Sequence, residues 1–136
     1  MAVGKQQFGT STPLTVALNG LADGASALSN EIDNSVNRAF DDELTVNLVG
    51  SNVAESGTVD IYILRGDVTG HLSDAGNGQR VHSVVLNGTT PVQRTIRVTD
   101  LPPFYQYRFV MRSSGAYALG AAGNSASVIA VSPESV

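Results

Sequence analysis

Leu44-Thr45-Val46-Asn47-Leu48 alternates apolar with polar residues at every step, and this period of two decides the fold class. Successive side chains of an extended chain point to opposite sides, so such a run buries one face and wets the other. Val59-Asp60-Ile61-Tyr62-Ile63 repeats the pattern, with Asp60 and Tyr62 outward. Leu14-Thr15-Val16-Ala17-Leu18 shows it nearer the start, and residues 92–98, 105–111 and 127–131 show it later, with Arg94 as the one exception on an apolar side. Residues 81–86 are apolar enough to predict cover on both sides. Strands with one buried face belong to antiparallel sheets.

The punctuation between these runs agrees. Asn87-Gly88 suggests a reversal, lengthened by Thr89-Thr90-Pro91. Pro102-Pro103 ends one strand and forces an extended lead into Phe104, while Ser113-Ser114-Gly115 marks another turn. The expectation is an all-β, single-domain antiparallel β-sandwich, jelly-roll-like, of about seven or eight strands. It occupies residues 13–136, and residues 1–12, without periodicity, form a flexible N-terminal arm. One segment competes. Leu21, Ala25, Leu28, Ile32, Val36 and Phe40 recur at helical spacing, with Asp23 placed to cap. The Ser, Asn and Asp residues crowded between 29 and 37 are weak helix formers, and extended structure with a loop is the expectation there.

Composition narrows the function classes. At 136 residues the chain suits one domain with a core of its own, and no apolar run approaches the roughly 20 residues that cross a bilayer. The opening residues lack the apolar stretch of a signal peptide. Without cysteine, disulfide scaffolds, thiolate zinc sites and cysteine nucleophiles are excluded. A net charge of −4, with one Lys and seven Arg dispersed, argues against nucleic acid and gives no membrane-binding patch. Ser, Thr, Asn and Gly supply most of the polarity, a surface that lets copies crowd together.

Catalytic chemistry finds little support. Only His71 and His82 exist, Ser83 points away from His82 across the strand, and no Gly-x-Ser-x-Gly elbow is present. Asp41-Asp42-Glu43 reads as a solvated turn before a strand. With another acidic loop it offers oxygen ligands for calcium, as do Asp67, Asp74 and Asn77, but neither set has EF-hand spacing. Phosphate-cradling loops are absent, and Arg65-Gly66-Asp67 reads as a strand end opening into a turn. Tyr105 and Tyr107 share a face with Phe109 and Met111, so core packing is favoured over a sugar-stacking platform. The expectation is a protein that is not an enzyme and needs no cofactor or metal.

A resemblance adds to this. Leu21-Ala-Asp-Gly-Ala-Ser-Ala-Leu-Ser-Asn-Glu-Ile-Asp-Asn-Ser35 is followed by Asp41-Asp42-Glu-Leu-Thr-Val-Asn-Leu48, then Leu101-Pro102-Pro103, Tyr107-Arg-Phe-Val-Met-Arg-Ser-Ser-Gly115 and Ala118-Leu119. This order resembles small structural proteins of tailed-phage virions, of the capsid decoration or cement type. The resemblance implies a jelly-roll-like sandwich displayed in many copies at the capsid surface of the virion, with the major capsid protein as partner and a homotrimer as assembly. The loop from Asp67 to Arg80 departs from that pattern. Lys5 and Phe8 in the arm, with Arg65 and Asp67 at the strand-end loop, are the expected capsid or subunit contacts. The alternative is a lectin-like glycan-binding module of a tail or fibre.

Overall fold

The computed structural model describes residues 6–34, 40–65, 79–99, 101, 106–114 and 117–133, and statements of structure concern those residues. Lys5 and Asp67 lie outside them, as do His71, Asp74, Asn77 and Tyr105. The strands are β1 (Gln6–Phe8), β2 (Thr12–Pro13), β3 (Ser26–Leu28), β4 (Ile32–Asp33), β5 (Asp41–Leu48), β6 (Ser56–Arg65), β7 (Gln79–Asn87), β8 (Val92–Val98), β9 (Gln106–Ser114) and β10 (Ser125–Pro133). They form two antiparallel sheets, a jelly-roll-like sandwich. In the first, β1 and β2 both pair with β10, which is followed by β5 and β8. In the second, β3 and β4 both pair with β9, which is followed by β6 and β7.

The period of two read from the sequence is what closes the core. Leu44, Val46 and Leu48 of β5, with Val128 beside Leu44 on β10, share one buried apolar cluster with Val59, Ile61 and Ile63 of β6 and Phe109 and Met111 of β9 in the other sheet. Tyr107 and Phe109 meet edge to face with ring centroids 5.9 Å apart, the geometry that the ring quadrupoles favour. A hydroxyl and a carbonyl close one end. The Tyr117 hydroxyl donates to the Gly88 carbonyl at 2.5 Å. A Cβ at Gly50 would overlap both of those groups, so only glycine fits there. Gly88 itself turns the β7–β8 hairpin with φ +56°, in the left-handed region.

The structure revises several sequence-based expectations. Leu14 and Leu18 are buried as their alternation predicted, but residues 14–18 form no strand. They cross from the β10 edge, where Pro13 pairs with Ser127, to the β9 edge, where Ala27 pairs with Met111. A segment changing sheets cannot run alongside either one. Residues 81–86 are covered on one side only: Val84 and Leu86 face the core and are buried, while Val85 points to the outer face of the sandwich and is 63% exposed. Over residues 21–33 the extended reading holds, as β3 and β4 on β9; Asn34 is helical, and residues 35–39, Val36 of the competing helical pattern among them, lie outside the described residues. The described part of the arm stays outside the core yet follows the sheet, with Phe8 opposite Val131 of β10.

Candidate functional site

The acidic start of β5 is where the structure departs most from a solvated turn. Asp41, Asp42 and Glu43 are the first residues of a strand, so alternation separates them. Asp41 and Glu43 point outward and share Arg97 of β8, whose Nε lies 3.0 Å from Asp41 Oδ2 and whose other nitrogen lies 3.3 Å from Glu43 Oε1. Asp42 points inward and is fully buried. The three carboxylates therefore do not converge, and among the described residues no group of three or more His, Cys, Asp or Glu side chains stands together as metal ligands.

Asp42 Oδ2 accepts a hydrogen bond from the Tyr107 hydroxyl across the sandwich. Its other oxygen, Oδ1, is buried and has no partner. Burial pushes the Asp42 carboxyl up to about 6; the Tyr107 hydrogen bond opposes the rise and the neighbouring Asp41 charge adds to it. Burial likewise raises the Tyr107 hydroxyl, and the charge and hydrogen bond of Asp42 raise it further. An unsatisfied buried carboxylate oxygen is uncommon in folded proteins and calls for a donor.

Both residues line a cleft of about 550 Å³ where the two sheets part, between β1 and β2 on one side and β4 on the other. Leu14, Ile32 and Val128 give it apolar walls, and Thr10 and Thr12 stand at its first side. Glu31, Asp33 and Asp42 are its charged lining, with no Lys, Arg or His among the described lining residues. Glu31 has Arg108 at 4.0 Å, itself anchored on the Ser29 carbonyl.

The opposite flank, where β7 and β8 come together, carries a shallower groove of about 400 Å³. Arg65, Arg80 and Arg97 line it without any described acidic residue. Of the contact residues expected from sequence, Phe8 is 53% exposed, with the Arg97 guanidinium 6.0 Å from its ring centroid. Arg65 is exposed and its guanidinium donates to the Gln79 side chain. Arg97 thus lies near the Phe8 ring and lines the same groove as Arg65. Ser83 donates to Asp60 at 2.5 Å, while His82 is exposed, so these residues assemble no triad.

Asp42 and Tyr107 were not singled out as site residues, although a signal was present. The alternation of Leu44, Val46 and Leu48, continued backwards by two, puts Asp42 on the core face, and Tyr107 was already assigned there.

No protein-family profile matches the chain, and no curated protein matches it. Solved structures of similar shape do. The CBM36-1 domain of a multidomain xylanase from the hindgut metagenome of Trinervitermes trinervoides aligns over 97% of this chain and 100% of its own, at 11% identity and TM-score 0.47. The coat protein of Tobacco streak virus aligns over 100% of this chain and 92% of its own, at 14% identity and TM-score 0.43. TmCBM61, solved with β-1,4-galactotriose, aligns over 96% and 90%, at 11% identity and TM-score 0.42. At these identities and scores the likeness does not extend to a site or a ligand, and it defines no family.

Proposed function

We propose that the chain is a structural protein of a phage virion, a decoration protein that binds the outer capsid surface and stabilises the shell without catalysing a reaction. The observation that carries this reading is that three of the segments bearing the resemblance, near residues 21–33, 106–114 and 119, are hydrogen-bonded to one another, while residues 41–48 lie in the first sheet. Ser26 and Leu28 pair with Arg112 and Val110, Ile32 pairs with Tyr107, the Gly24 amide donates to the Ser113 carbonyl at 2.9 Å, and the Leu119 amide donates to Leu21 at 2.9 Å. These motifs, far apart in sequence, meet at one edge of the second sheet, which is compatible with the fold the resemblance implies. A cement protein works by burying surface across capsomer junctions, through a few apolar anchors within a polar rim. Phe8, exposed on β1, supplies such an anchor, and the major capsid protein is its partner in this reading.

The test is binding to capsids depleted of the protein. Full-length chain should attach and raise the temperature at which the shell opens. Deleting residues 1–11 removes β1 and Phe8 but leaves β10 paired to β5, so the fold should persist while attachment weakens. Failure of the full-length chain to attach overturns the decoration role; equal attachment by the truncated chain overturns the role of the arm.

A second reading is favoured by the cleft. A lectin-like module of a tail or fibre would present polar groups to a glycan hydroxyl, and Asp42 Oδ1 is an acceptor in want of a donor. Among the described residues no tyrosine platform accompanies it. Tyr107 and Tyr117 are fully buried, and Tyr62 packs on Leu64 and Val110. Glycan-array binding by the isolated chain would establish this reading in place of the first.

A further inference from the structure

The two flanks of the sandwich carry opposite charge. On one, the cleft between β2 and β4 has three carboxylates in its lining and, among the described residues, no cation. On the other, the groove between β7 and β8 has three arginines and no described acid. We propose that the cleft of one copy receives the Arg80 side chain of a second copy, so that subunits join flank to flank, head to tail.

The chemistry of the cleft fits an arginine along its length. Leu14, Ile32 and Val128 offer apolar surface to the three methylenes, and Glu31, Asp33 and Asp42 of the same lining offer carboxylates to the guanidinium. A guanidinium carries five donors and no acceptor. Asp42 Oδ1 is fully buried, unpartnered and part of a residue lining the cleft, so it offers the acceptor that such a donor lacks. Glu31, on the same lining, is half exposed and able to take a second N–H. A carboxylate paired with an arginine makes the short, charge-assisted hydrogen bonds that are strongest when water is excluded.

The donor is narrowed by what the other arginines do. Arg97 is held by Asp41 and Glu43, and Arg65 by Gln79. Arg80, opposite Tyr62 in the β6–β7 register, has an exposed side chain at the outer edge of its sheet. Because donor and acceptor sit on opposite flanks, the contact is heterologous, and such contacts repeat until a ring closes. A three-membered ring is the assembly expected for the proposed virion role. The inference goes beyond that role, since the ring forms or fails whether or not it meets a capsid.

Native mass spectrometry and light scattering on the full-length chain test it. At low ionic strength a closed oligomer is expected, dissociating as salt shortens the screening length. Arg80→Glu and Glu31→Arg, both at exposed positions, should each weaken association at least roughly tenfold. The two changes together in one chain recreate an opposite-charge pair between positions 80 and 31 and should recover part of it, Asp42 and Asp33 being unchanged. Circular dichroism melts report whether each variant is folded, and the rescue separates a lost contact from a lost fold. A chain that stays monomeric at every concentration overturns the proposal, as does an oligomer indifferent to both single changes. Binding of a neutral oligosaccharide to a monomeric chain, abolished by Glu31→Arg, would assign the cleft to a glycan instead.

Discussion

Asp42→Asn isolates the energetic cost of the buried carboxylate. In the folded protein the Asp42 carboxyl is raised from its ordinary 3.8 to about 6. A raised value means that the folded state holds the proton more tightly than the unfolded chain does. The stability it confers is therefore complete below pH 3.8 and is lost as pH rises through about 6. A rise of about two pKa units corresponds to about 3 kcal/mol. Asparagine keeps an oxygen to accept from Tyr107 but carries no charge. Its amide nitrogen sits where Oδ1 lacked a partner, at a cost that does not depend on pH. The assay is urea unfolding of both proteins between about pH 3.5 and 8, read as the difference in unfolding free energy. Other carboxylates titrate alike in the two proteins and cancel. The wild type should lose about 3 kcal/mol relative to Asp42→Asn across that window, with most of the change between about pH 4 and 6. A difference that stays flat with pH, or one that grows in favour of the wild type, would refute the burial of a charged group at this position.

Tyr107→Phe removes the hydrogen bond that holds Asp42 Oδ2, leaving both oxygens without a donor; it should cost roughly 1.5–3 kcal/mol at neutral pH in denaturant unfolding and move the Asp42 midpoint above 6. Gly50→Ala drives a methyl into the Tyr117 hydroxyl and the Gly88 carbonyl, and thermal unfolding should show a loss of about 3 kcal/mol or more. Asn124 holds the Val49 amide at 2.8 Å, the Gly120 carbonyl at 2.9 Å and Asn19 at 3.1 Å. Asn124→Ala leaves the Val49 amide without its acceptor, while the Gly120 carbonyl keeps the Gly20 amide at 2.8 Å, and should cost roughly 1–3 kcal/mol by the same measurement.

The long strands were legible because their signal is local. Residues 44–48 and 59–63 alternate without interruption, and alternation is sufficient to assign a strand with one wet face. The cleft was not legible in the same way. Its lining comes from residues near 10, 31, 42, 107 and 128, distant in sequence and brought together only when β2 and β4 flank the same opening. Asp42 shows the difference within one strand. Charge made the triplet at residues 41–43 read as solvated, whereas the core face was set by position, two residues before Leu44. Leu14–Leu18 shows the converse: alternation recorded burial correctly, but pairing depends on a neighbour, and a chain crossing between sheets has none beside it. Val85 follows from alternation itself, since it points to the outer face of β7, opposite the core face of Val84 and Leu86.

Quantitative peptide mass spectrometry on virus particles purified from the source of the chain tests the proposed virion role most directly. An abundance comparable to that of the major capsid protein is expected of a decoration protein. A few copies per particle would move the chain to a tail or vertex and favour the glycan-binding reading. Its absence from purified particles would contradict a place in the virion altogether.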